Sequence, residues 1–227
     1  MTTYNTQMIE AVVAQMRAAV ESKRILNAEA MRGIRREFSR QLADAPPRFL
    51  YRLAVRLLKE GDFCYRFFGY EMISVRTDAL AILGEKELVQ LGKGLSDWYG
   101  TDTFGGYVSG RVWLAGQIDD NVIVKWAKSP DLWWRRAALT STVPLNQRSK
   151  GAKGDTARTL KICRMLVDDR EDMVIKALSW ALREVVWHDP DSIRAFLAEY
   201  EDRLAARVKR EVRHKLETGL KNPRRHA

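Results

Sequence analysis

The sequence predicts an all-α protein, and three observations carry that expectation. Apolar residues recur at spacings of three and four along almost all of the 227 residues, segments with strict two-residue alternation are scarce, and proline falls between the periodic runs. In the first part of the chain the periodicity places helices at 5–21, 28–42, 47–59, 63–83 and 85–94. Pro46-Pro47 supports the third of these, because proline fits the first helical turn, where its missing N–H is not needed. In the second part the runs are 103–115, 119–128, 132–143, 155–167, 172–187, 192–205 and 206–220. Ser129-Pro130 separates two of them, and Asp189-Pro190-Asp191 is a short break with a carboxylate suited to capping. The one long connection, PLNQRSKGAKGD at 144–155, is rich in Gly and Lys without apolar periodicity and reads as a polar loop.

A weak internal repeat refines the class. Setting SPDLWWRRAALTS (129–141) against DREDMVIKALSWA (169–181), 40 residues on, matches Asp131 with Glu171, Arg136 with Lys176 and Ala137 with Ala177. Stacked helical pairs repeat on about this scale. A dozen short helices with short turns therefore predict a HEAT-like α-solenoid of antiparallel helix pairs, forming one domain over 1–227, with equivalent repeat positions lining a concave face.

Composition narrows the function. With 46% hydrophobic and 30% charged residues the chain is ordinary for a globular protein, but its formal charge of +10 and pI near 9.7 suit a protein that meets a polyanion. Cys64 and Cys163 follow no disulfide or zinc spacing and read as buried thiols of a reducing compartment. The N-terminal MTTYNTQMIEAVVAQM lacks a cationic flank before an apolar core, and no apolar run approaches the roughly 18 residues of a membrane span. A cytoplasmic protein with no membrane partner is expected.

The seven tryptophans all lie beyond residue 97, and most are expected to fill core. Trp98 differs, since SDWYGTDTFGGY (96–107) is punctuated by glycine and would support a core indole poorly. Asp102 follows four residues later. If the segment is helical the two share a face; if it is a turn, Asp102 caps a helix beginning at Thr103.

These residues resemble a known family. Trp98 and Asp102 in a WxxxD pattern, then WWRRAA (133–138), then KALSWALREVVWHDPDSIRAFL (176–197), are similar to the AlkD-type DNA alkylation-repair glycosylases, which are HEAT-like repeat proteins. The likeness runs from MRGIRREF (31–38) to REVRHKL (210–216). It implies that Asp102, Arg136, Trp98 and Trp180 line a DNA-facing cleft. The expected activity is hydrolysis of the N-glycosidic bond of positively charged N3- or N7-alkylated purines such as 3-methyladenine and 7-methylguanine, the first step of base excision repair.

Such a reaction makes physical sense of the four. Positive charge develops on the sugar as the base leaves, and a fixed carboxylate at Asp102 would stabilise it and orient the water. An alkylated base is already cationic, so its departure needs no general acid. Indole faces at Trp98 and Trp180 would attract a cation, and Arg136 would grip a phosphate bidentately. Further phosphate contacts are expected from Arg148, Lys150 and Lys153, from the C-terminal RLAARVKREVRHKLETGLKNPRRHA, and from Arg35 and Arg36. No lysine stands out as a Schiff-base nucleophile, which favours a monofunctional hydrolase acting on double-stranded DNA as a monomer without cofactor or metal. Two other classes are compatible with the residues: a non-catalytic repeat protein binding distorted or branched DNA, and a HEAT-type scaffold burying its tryptophans against a partner helix.

Overall fold

The computed structural model describes residues 4–221. It is all-helical, with no strand among the described residues, and its residues group into two compact units, Met1–Lys93 and Gly94–Ala227. No described helix is long and apolar enough to cross a membrane.

The first unit holds α1 (Thr6–Glu21), α2 (Ala28–Gln41), α3 (Pro47–Leu57), α4 (Phe63–Ser74), α5 (Thr77–Ala81) and α6 (Glu85–Leu91). Asn5, Asn27 and Asp62 each accept a backbone N–H of the first turn of α1, α2 and α4, caps worth about 1 kcal/mol apiece. α3 packs on α4, where Gly69 lets the helix backbones approach: a Cβ there would stand 3.1 Å from Ala54. Glu60 sits between Arg17 and Arg56, whose hydrogen bonds hold its carboxyl down at about 2. The clamp is fully present above the ordinary glutamate range and loosens only as pH falls toward that value.

The run expected as one helix at 63–83 is two. Arg76 breaks it: its backbone is extended, and its guanidinium donates to the carbonyls of Ala43 and Ala45 and to Asp78. Hydrogen bonds to a neighbouring chain segment thus outweigh continued helical periodicity, a competition that local spacing does not register.

The second unit holds α7 (Trp98–Thr103), a π-helical turn (Phe104–Ser109), α8 (Gly110–Leu114), α9 (Asp120–Ala127), α10 (Leu132–Thr140), α11 (Thr156–Met165), α12 (Asp172–Val185), α13 (Pro190–Glu199) and α14 (Ala206–Thr218). α10 is central, packing against α7, the π turn, α9 and α12, while α12 packs in turn on α14. The expected helix at 103–115 starts five residues earlier because Asp97, whose carboxylate accepts from Gly100 N at 2.7 Å, is the cap. Trp134 packs on Phe104 and Trp126, and Trp113 is buried with its indole N–H on Asp120, so these rings serve as core. Part of the expected polar loop is also core: Pro144, Leu145 and Asn146, with Val143 from the end of the expected helix, form a buried 3-10 turn, with Asn146 bonded to Thr142, Thr159 and Asp155. Satisfied polar groups let this stretch be buried without apolar periodicity.

α10 and the π turn are in closer contact than any side chain at residue 105 would permit. A Cβ on Gly105 would lie 2.0 Å from Thr140 Oγ1 and 2.9 Å from the Thr140 carbonyl carbon. Ser109 and Ser141 complete the seam with hydroxyls 2.7 Å apart. We expect Gly105→Ala to lower unfolding free energy by about 3 kcal/mol, as overpacking against backbone does. Urea unfolding measures this, and a loss below about 0.5 kcal/mol would show that the seam yields easily.

Candidate functional site

The seam fixes where α7 presents its side chains to α10. Asp102, in the last turn of α7, meets Arg136 of α10 in a bidentate pair, with Nε donating to Oδ1 at 2.9 Å and Nη2 to Oδ2 at 2.8 Å. The third arm of the guanidinium, Nη1, donates to the carbonyl of Met173 in the first turn of α12. One side chain therefore joins three helices. Fork geometry suits this, since each arm points along a fixed direction in one plane.

The pair is oriented. The Arg136 side chain is 6% exposed and that of Asp102 21%, so the cation lies behind and the anion in front. Both carboxylate oxygens are held, yet each keeps lone-pair capacity for a water or a ligand. Burial pushes the Asp102 carboxyl above the ordinary aspartate range, and the hydrogen bonds and charge of Arg136 pull it back.

Two cavities meet at this carboxylate. One, of about 420 Å3, is bordered by Trp98, Asp102, Arg136 and Trp180, with Met173, Lys176, Arg183, Arg207, Glu211 and Lys221 completing it. The other, of about 210 Å3, shares Trp98, Asp102 and Trp180 and adds Tyr107, Gln147 and Lys150. Trp98 is 54% exposed and meets Tyr99 edge-on. Trp180 is half-buried, with its indole N–H on Glu184 at 2.8 Å. The four residues singled out in the sequence thus share one cavity, and Asp102 is a helical residue on the same face as Trp98 rather than a cap.

Arg136 departs from its expected role. Its fork is engaged by Asp102 and Met173 and it is buried, so the bidentate partner is a carboxylate of the protein in place of a phosphate. Other cations border the same cavity and are less fully engaged. Lys176 and Arg207 share the carboxylate of Asp172, at 2.6 and 2.8 Å, and both remain more than a third exposed. Arg183 stands 3.9 Å from Glu211, which also accepts from Ser179. Met173, Lys176, Trp180 and Arg183 lie at helical spacing along α12, a pattern by which the sequence could have revealed this wall.

The remaining expected contacts are scattered. Lys150 lies over the Tyr107 ring at 4.8 Å beside the smaller cavity. Arg148 borders a third cavity, and Lys153 is exposed and borders neither of the two that contain Asp102. Arg35 is paired with Glu71 in the first unit, and Arg36 is exposed there. Of the basic C-terminal segment, 222–227 lie outside the described residues.

Asp102 thus shares a cavity with two tryptophans and several cations. The chain belongs to the DNA alkylation repair enzyme family, whose model matches residues 10–216. Membership gives it a role in alkylation repair and implies DNA binding. Searches of curated proteins and of solved structures found no match.

The pairing makes a measurable prediction. A carboxyl raised by burial favours its protonated form in the fold, so its contribution to stability is present below the ordinary aspartate range and is lost as pH rises through the folded value. Carbon-13 NMR titration of Asp102 should give a midpoint above that of an ordinary aspartate, and Arg136→Gln should move it higher still. A downward move in the variant would contradict the opposition between burial and Arg136.

Proposed function

We propose that the protein is a monofunctional DNA glycosylase that hydrolyses the N-glycosidic bond of positively charged N3- or N7-alkylated purines, leaving an abasic site. The observation that carries this reading is the oriented Asp102–Arg136 pair between Trp98 and Trp180. As the base departs, the sugar gains oxocarbenium character, and the negative end of the pair faces the cavity where that charge would develop. Arg136 then acts as a positioning residue: it fixes both oxygens of Asp102 before substrate arrives, so no reorganisation accompanies the reaction. An Asp102 oxygen accepts a proton from the attacking water, while the cationic purine leaves as a neutral base and needs no acid. The indoles of Trp98 and Trp180 contribute attraction for the cationic base or sugar, on the order of 0.5–2 kcal/mol each.

Phosphate contacts fall to Lys176 and Arg207, which are exposed enough to reach a backbone while tethered to Asp172. Lys150, Arg148 and Lys153, which lie apart from this pair, would add further phosphate contacts. On this reading the chain is a single HEAT-like domain over 1–227, its antiparallel helix pairs receiving the duplex on a concave face, and it works as a cytoplasmic monomer in base excision repair.

Base release from methylated duplex DNA tests the proposal. Wild-type protein should liberate 7-methylguanine or 3-methyladenine, and Asp102→Asn should reduce the rate by about a hundredfold or more, the scale of losing one preorganised electrostatic contact. Tight DNA binding by wild type without any release would sink the glycosylase assignment. Separately, Lys176→Ala should weaken binding to all duplexes about equally and reduce the salt slope by about 1. An unchanged slope would remove Lys176 from the phosphate contacts.

A further inference from the structure

Beyond the two cavities that contain Asp102 lies a third, of about 300 Å3, bordered by Gln147, Arg148, Glu184, Trp187 and His188. Trp187 is 63% exposed, more than any other tryptophan, and sits two residues past the end of α12. Lys215 of α14 places its ammonium 4.0 Å from the ring centroid, and a Cβ added at Gly219 would lie 4.0 Å from the ring edge. The ammonium is itself anchored on the Gly219 carbonyl at 2.5 Å. Neither Lys215 nor Gly219 borders the cavity, whereas Trp187 does, so the cation holds the ring without itself lining the space.

The walls are built rather than incidental. His188 Nε2 is 2.6 Å from the Asn146 carbonyl oxygen, and Gly154, with φ +94°, passes so close that a Cβ would lie 2.6 Å from the imidazole. Arg148 is exposed on one wall. Glu184 on the other accepts the indole N–H of Trp180, and Gln147 borders both this cavity and the smaller cavity of Asp102. The space is thus continuous in its lining with the candidate active site. Seven residues of α12 and its terminal turn separate Trp180 from Trp187, roughly 10 Å at helical rise, or about three base-pair steps along a B-form duplex at 3.4 Å each.

We propose that this cavity is a subsite for one unpaired nucleobase of the DNA, displaced a few nucleotides from the lesion, with the base stacked on Trp187 and its phosphate on Arg148. The proposal rests on the DNA-binding reading of the Asp102 site. An exposed indole with a cation behind it suits the π face of any base, and the exposed guanidinium of Arg148 supplies the charge complementary to a phosphate. The cavity volume falls at the small end of ligand pockets, suited to a single base. The Glu184 carboxylate gives the same cavity an acceptor for an exocyclic amino group, which favours adenine, cytosine or guanine over thymine.

Fluorescence anisotropy with two labelled duplexes tests this, one fully paired and one with a single unpaired adenine three nucleotides from an abasic-site analogue. Wild type should bind the bulged duplex roughly tenfold more tightly, the scale of one base stacked on an aromatic side chain. Trp187→Ala should bring the two affinities together, while Trp187→Phe should keep most of the difference. Equal affinities in wild type, or a full preference retained in Trp187→Ala, would overturn the subsite. Both outcomes leave the glycosylase reading standing if methylated bases are still released, whereas a bulge preference without base release would overturn that reading alone.

Discussion

The guanidinium of Arg136 is the point on which the second unit turns. It holds the carboxylate of α7 with two arms and the first turn of α12 with the third, while its own helix packs on both. A buried cation is tolerable only when paired and hydrogen-bonded, and here Asp102 answers the charge and the Met173 carbonyl takes a further N–H. The dependence is mutual. Removing either charge would leave the other buried and uncompensated, so the site geometry and the packing of three helices stand or fall together.

That arrangement requires α7 to approach α10 closely, and the means is unusual. A π turn over Phe104–Ser109 places Gly105 against Thr140 and leads into Gly110, where a Cβ would lie 2.4 Å from the Ser141 carbonyl oxygen. The Ser109 hydroxyl of the π turn then meets that of Ser141 across the gap, and Ser141 donates in turn to the Ala137 carbonyl of its own helix. Extra residues inserted into a helical turn redirect the helix on their C-terminal side, and such turns cluster at functional sites. Here the turn begins two residues after Asp102, so the carboxylate stays in regular helix while the chain beyond it is pressed into the seam.

Much of this was readable in the sequence, and the failures have physical causes. The helical class and most helix positions follow from periodicity, because amphipathic burial is a local pattern. Asp102 could be read as cap or as helical residue because Asp97 and Asp102 both stand in positions suited to capping; only the Asp97 bond to Gly100 decides between them. The glycines at 105 and 106 look like a weak point, whereas Gly105 is required by Thr140 from a segment 35 residues away. Arg136 was legible as a site residue but not in its role, since sequence spacing does not say whether a fork meets a phosphate or a neighbouring carboxylate. The Lys176 and Arg207 pair is harder still: the two cations come from different helices and meet only through Asp172.

The proposed chemistry also poses an electrostatic problem that the site addresses locally. A chain of net charge +10 attracts phosphates but repels a cationic base. Around the larger cavity, however, Arg136 faces Asp102, Lys176 and Arg207 share Asp172, and Arg183 lies near Glu211. Each of these four cations has a carboxylate within ion-pair distance, which offsets part of its charge, although Lys176 and Arg207 share one carboxylate and Lys221 adds a further cation to the rim. At the centre Asp102 is the more exposed half of its pair, and Trp98 and Trp180 border the same cavity. A basic rim can draw in a duplex, and on the proposed chemistry the cationic base then meets the more exposed half of the central pair, which is a carboxylate.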